Sequence, residues 1–147
     1  MIPPDKLVLL DTGILVELAR GKKAGQLIDE RYQLRRRSER PLICVVTGGE
    51  ILALARIWNW GAEKVARLHD LLRELVIVDI NGKKFLEKYG EIQAYVKQNG
   101  MVLGDNDVWI ATAASLADAV LLTEDKDFDS LHGRFLTREF VDPATLK

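Results

Sequence analysis

Apolar and polar positions along the chain follow two rhythms. Short, almost unbroken apolar runs occupy Leu7–Leu10, Leu42–Val46, Leu75–Val78 and Ala119–Leu122, with a weaker fifth at Phe140–Val141. Longer stretches between them repeat apolar residues three and four apart, the spacing of a helix face. Ile14, Leu15 and Leu18 mark a short helix after the first strand, and a charged stretch from Ala24 to about Ser38 reads as a second. Glu50–Trp60, Ala62–Glu74, Lys83–Gln98 and Asp107–Ala117 complete the helical set. Strands alternate with helices, and the strands are apolar on both sides. That pattern predicts an α/β fold whose mostly parallel sheet is covered by helices on both faces.

Composition narrows the picture only a little. A chain of 147 residues, 48% hydrophobic and 29% charged, is long enough for a real core and reads as one domain over residues 1–147. The net charge of −1 gives no bulk signal for a nucleic-acid binder, so any basic surface is local. One cysteine, Cys44, lies inside an apolar run. It excludes an intrachain disulfide and a thiolate metal site, and a buried structural thiol is the expected reading. The first residues lack a basic segment followed by an apolar stretch, and no apolar run approaches the ~20 residues of a membrane span. A reducing cytoplasm, with no membrane contact, is the expected location.

Candidate chemistry enters through the strand ends. In open α/β sheets, sites form just outside the carboxyl ends of the strands. Asp11 follows the first run, Thr47 and Glu50 follow the second, and Thr123 and Asp125 follow the fourth, while Asp107 opens the preceding helix. Each acid also has a local reading. Asp11 is a suitable cap for the helix beginning near Gly13, and Thr47-Gly48-Gly49-Glu50 has the form of a capping box. Asn106 with Asp107 suits a helix start, and Asp125 with Asp127 suits a turn before a short helix through Leu131. Together they would form a cluster of carboxylates that repel one another at neutral pH unless protonated or paired with cations. Neither His69 nor His132 falls in the strand-end pattern. Oxygen donors without His or Cys favour Mg²⁺ or Mn²⁺, and such ions can activate a water and stabilise the leaving oxygen of a phosphodiester.

The segments LLDTGILVEL, VVTGGEILAL, GDNDVWIATAA and LLTEDKDF resemble the four signature segments of PIN-domain ribonucleases, in order and spacing. The likeness spans Asp11 to Phe128, and the small format looks most like the VapC toxins of toxin–antitoxin pairs. It implies a PIN-like, mostly parallel, roughly five-stranded sheet flanked by helices on both faces. It also implies a Mg²⁺- or Mn²⁺-dependent endoribonuclease leaving 5′-phosphate and 3′-hydroxyl ends. Matched position by position, Asp11, Glu50, Asp107 and Asp125 are the metal-holding catalytic acids. Thr12, Thr123 and Asp127 are supporting residues, with Thr123 expected to orient Asp125 or a water. The resemblance further implies a homodimer and a small antitoxin protein bound in a groove between early helices. Gly48-Gly49, Asp105 and Glu124 depart from the family pattern.

Two other features stay open at this level. Arg35, Arg36, Arg37 and Arg40 precede the second strand and suit RNA phosphates, an acidic partner or a plain solvated helix face. Trp58 and Trp60, with Leu52, Leu54, Ile57 and Val65, suggest a core or a subunit interface. A haloacid-dehalogenase-type phosphatase would need an acid where Gly13 stands, and a receiver domain would need a central strand-end Asp that is missing. Within the family, a housekeeping RNA-processing nuclease and a non-catalytic RNA-binding domain are the alternatives to a toxin.

Overall fold

The computed structural model describes residues 1–147. Five strands form one sheet: β1 (Leu7–Leu10), β2 (Leu42–Cys44), β3 (Val76–Val78), β4 (Ala119–Thr123) and β5 (Thr137–Phe140). Their order is β3-β2-β1-β4-β5, and every neighbouring pair is parallel. Six helices connect them: α1 (Thr12–Arg20), α2 (Lys23–Tyr32), α3 (Val45–Ile57), α4 (Ala62–Arg73), α5 (Lys83–Gln98) and α6 (Asp105–Ala117). Short 3-10 turns occupy Leu34–Arg36, Lys126–Leu131 and Pro143–Leu146.

Unbroken apolar strands make two cores, one on each face. Val8, Leu10, Ile43, Val120 and Leu122 point to the layer of α1, α2, α3 and α4. Leu9, Leu42, Cys44, Ala119 and Leu121 point to the layer of α5 and α6. Successive side chains of a strand face opposite ways, so a run read as continuous feeds both layers at once. From β1 the chain moves toward β2 and β3; β4 then lies on the other side of β1 and leads to β5. The direction of winding therefore reverses between β1 and β4, where a crevice opens outside the carboxyl ends.

Several boundaries differ from the sequence reading. β2 stops at Cys44, and α3 begins at Val45 rather than Glu50. β2 pairs with β3 only over Leu42–Cys44, because β3 ends at Val78. Past that point Val45 and Val46 have no neighbouring strand on that side, and their backbone groups are satisfied by turning into a helix. Thr47 therefore lies inside the first turn of α3, and no capping box forms. α2 ends at Tyr32, with Gln33 in the left-handed conformation (φ 52°), instead of running to Ser38. The three arginines that follow offer no apolar face to extend it. α6 starts at Asp105 with Gly104 as cap, so Asp107 is its third residue and Asn106 does not cap it. β5 begins earlier than expected, at Thr137. No helix is long and apolar enough to cross a membrane.

Candidate active site

The crevice between β1 and β4 collects the strand-end acids. Asp11 leaves β1 and its amide donates to the Leu122 carbonyl (3.0 Å), tying the two strand ends together. Asp11 also caps α1, its Oδ1 accepting from the Thr12 amide at 2.8 Å. Its Oδ2 accepts from the Thr123 hydroxyl at 2.6 Å, and that hydroxyl oxygen accepts from the Asp125 amide at 2.9 Å. Thr123 is fully buried at the end of β4. It orients the Asp11 carboxylate directly and Asp125 through its backbone, where the expectation was that it orients Asp125 or a water.

Glu50 reaches the same place from α3. Its Oε1 accepts from the Thr12 hydroxyl at 2.7 Å and its Oε2 from Asn106 Nδ2 at 3.4 Å. The buried Thr47 hydroxyl lies 3.2 Å from that of Thr12. Asp107 comes from the first turn of α6, where the Gly104 amide hydrogen-bonds it. The sequence reading passed over Asn106 as a site residue. Its position beside Asp107 at a helix start was the available signal. Gly13, Glu124 and Lys126 also line this basin with Asp11, Thr12, Glu50, Asp107 and Asp125, in a depression of ≈ 420 Å³ without a single hydrophobic residue.

Electrostatics show how near these groups are. Burial pushes the Asp107 carboxyl up, and Asp11, Asp125 and Glu50 add to it, bringing it to about 7. Burial also raises Asp11, opposed by its bonds to Thr123 and Thr12 and reinforced by Asp125 and Glu50. Glu124 is raised by burial and by Glu17 and Asp11, and its Oε1 is buried without a hydrogen-bond partner. None of Asp11, Glu50, Asp107 and Asp125 forms a salt bridge. Both the local and the collective readings hold for Asp11 and Asp125, since each caps a helix while lining the basin.

A divalent cation fits this donor set. All the acids carry hard oxygen ligands, and their repulsion has no cation to offset it other than Lys126. No three of them already close on one point at metal-ligand spacing. Mg²⁺ does not need three carboxylates, because it is held by one or two and waters complete its octahedron.

Other singled-out residues lie elsewhere. Asp127 is exposed and outside the basin lining, its amide bonded to Asp125 Oδ1. Asp105 accepts from Gln93 Nε2 at 3.0 Å. Arg35, Arg37 and Arg40 rim a different depression of ≈ 400 Å³, floored by Leu18, Leu34, Leu71 and Leu75. Arg35 pairs with Asp29 (3.0 Å) and Glu74 (3.7 Å). Arg37 donates to the carbonyls of Pro3 and Lys6, just ahead of β1, and Arg40 stands just ahead of β2. These arginines therefore sit at the N-terminal edge of the sheet, across it from the carboxylates. Arg36 is exposed on the same turn. Trp58 and Trp60 pack together just past the end of α3, 6.0 Å between ring centres, and Trp58, Leu52 and Ile57 are each exposed.

Comparison with known proteins agrees with this architecture. Ribonuclease VapC1 of Haemophilus influenzae strain R2866 is 29% identical over 126 residues, covering 85% of this chain and 92% of its own length. The structure of VapBC2 from Rickettsia felis, bound to a DNA fragment from its promoter, superposes with a TM-score of 0.78 at 23% identity, covering 92% of this chain and 99% of that one. VapBC-1 from nontypeable Haemophilus influenzae gives 0.74 at 23% identity, covering 91% and 97%. FitAcB from Neisseria gonorrhoeae gives 0.70 at 20%, covering 92% and 97%. At such identities the superpositions speak for the fold. The family model for the PIN domain matches residues 8–133, which take in β1 from Val8 on, β2 to β4 and all six helices, and the chain belongs to the PIN domain family.

Proposed function

We propose that this chain is a Mg²⁺- or Mn²⁺-dependent endoribonuclease that hydrolyses RNA phosphodiester bonds, and the toxin of a toxin–antitoxin pair. One observation carries the reading. Carboxylates from two strand ends, the second turn of α3 and the first turn of α6 meet in one basin, unpaired, and burial together with its acid neighbours pushes Asp107 up to about 7. A structural role would pair such acids with arginine or lysine.

Asp11, Glu50, Asp107 and Asp125 would hold the cation, which when bound supplies a Lewis acid that lowers the pKa of water and draws charge off a phosphodiester. The chain's own contribution is to fix those acids. Thr12 and Thr123 hold Asp11 at both oxygens, and Thr12 and Asn106 hold Glu50. Thr12 thus couples the β1 acid to the α3 acid. In the cation-free protein the Asp107 carboxyl keeps a proton near neutral pH; a bound cation competes with that proton, so affinity rises with pH. Asp127 supports the site through the Asp125 turn rather than by facing the basin.

The partners follow from chemistry and kinship. RNA is the substrate class. The similar H. influenzae protein is named a ribonuclease, and the superposed structures are VapBC and FitAcB assemblies. These support an antitoxin partner for this chain. The arginine edge favours contact with that protein over contact with RNA, since it lies away from the carboxylates. The exposed Leu52, Ile57 and Trp58 on α3 support a homodimer. We place the protein in the cytoplasm. Purified protein should cleave RNA in Mg²⁺ or Mn²⁺ and stop in EDTA, and D11N and D107N should be inert; undiminished cleavage by either variant would remove the assignment. Growth arrest on expression, absent with D11N, would distinguish a toxin from a housekeeping nuclease.

A further inference from the structure

Lys126 is the one cation among the eight residues lining the carboxylate basin. It begins the short 3-10 turn after β4, and its side chain is exposed. Five acids line the same basin, yet the Lys126 ammonium forms no salt bridge with any of them. It lies instead over the Phe140 ring on β5, 5.7 Å from its centre. Such a contact places a cation at the cost of only weak attraction, about 0.5–1 kcal/mol at an exposed site. The ammonium therefore stands on the β5 side of the crevice, while Glu50 and Asn106 close the β2 side.

A polyanion approaching five carboxyl groups is repelled unless something positive receives it. No other cation lines the basin: Arg20 pairs with Glu17, Arg138 with Asp129, and the arginine cluster occupies the far edge of the sheet. We propose that Lys126 binds a phosphate of the RNA chain on the β5 side of the basin, next to the one being cleaved, and so fixes where the strand crosses the acids. The proposal rests on the nuclease reading. Lys126 is a substrate-binding residue in this scheme and takes no part in holding the cation.

The test uses the full-length protein and a fluorescent single-stranded RNA oligonucleotide. Affinity is measured against KCl concentration, cleavage kinetics in Mn²⁺, and Mn²⁺ binding by thermal shift, for the parent, K126Q, K126R and D11N. K126Q should raise KM about tenfold, the size of one contact to a charged group, with kcat within about twofold. Its log–log salt slope should fall by about 0.7, one single-strand phosphate, while K126R restores both. Mn²⁺ affinity should not change. An unaltered salt slope and KM in K126Q, with the parent active and D11N inert, would overturn the proposal and leave the nuclease standing. A changed Mn²⁺ affinity with an unaltered slope would reassign Lys126 to offsetting the acids and overturn it too. An active D11N would sink the nuclease reading, and the salt slope alone would then still decide whether Lys126 binds the strand.

Discussion

The two edges of the sheet treat charge in opposite ways. At the N-terminal edge, Arg35 is held between Asp29 and Glu74, and Arg37 satisfies the carbonyls of Pro3 and Lys6. At the carboxyl edge, Asp11, Glu50, Asp107 and Asp125 touch only hydroxyls and amides, and no cation pairs with them. Charges consumed by the fold are the mark of structural duty. Charges held in place but left uncompensated weaken the fold and await something that binds. The same sheet therefore supplies its own control: a change that matters at one edge should be silent in the assay that reports on the other.

The largest expected effect is at the carboxyl edge. D11N should lower Mn²⁺-dependent RNA cleavage at least ~100-fold, because even residues that only support a metal site are worth ~10–100-fold. T123V comes next. It leaves Asp11 Oδ2 without its 2.6 Å donor, and cleavage should fall ~10–100-fold while the fold persists by circular dichroism. Comparable activity in T123V would mean that Asp11 needs no orientation.

A smaller effect concerns stability and pH. Asp107 titrates at its ordinary 3.8 when unfolded and at about 7 when folded, so the folded protein binds that proton more tightly. Its contribution is present in full below about pH 4, declines as pH rises toward 7, and is gone above it. In EDTA, D107N should therefore be more stable than the parent at pH 8, by about 1–2 kcal/mol after allowing for solvent screening of a partly exposed group. The advantage should vanish near pH 4, and saturating Mn²⁺ at pH 8 should stabilise the parent alone. Equal parent and D107N melting temperatures across this range would contradict the burial of Asp107 among the other acids.

The arginine edge should respond in the converse sense. R37A should lose about 1 kcal/mol of stability in urea unfolding, since the Pro3 and Lys6 carbonyls lose their donor. The smallest effect is the sharpest contrast: R36Q with R40Q should leave the salt slope of RNA binding unchanged. A reduced slope in that pair would move the RNA path to the arginine edge.

Much of this was legible from residue order. Unbroken apolar runs named four of the five strands nearly to the residue; for β1, β2 and β4 the reason is that a doubly covered strand permits no polar face, whereas β3 is apolar though Val76 and Ile77 are exposed. The rule that sites form past strand ends picked out Asp11, Glu50 and Asp125, the likeness to PIN-domain segments added Asp107 to the set, and all four line one basin. The position of the arginines was also available, since a segment that precedes a strand lies at its N-terminal end. Thr47 was misread because its spacing to Glu50 satisfies a local motif. The length of β3, which decides where β2 stops, is set elsewhere in the chain.

What the sequence determined by itself was the element order and the two-sided core, for these rest on periodicity and on short-range backbone preference, while the acids were singled out by the strand-end pattern together with the likeness to PIN-domain segments. Only the tertiary structure decided how those acids are held: Thr123 against Asp11 across 112 residues, Thr12 against Glu50 across 38, Asn106 against Glu50 across 56. It alone showed Lys126 drawn to Phe140 and free of the carboxylates. Hydrogen bonds and charge couplings act over a few ångströms, and which distant side chains come that close is fixed by the packing of layers rather than by any local pattern.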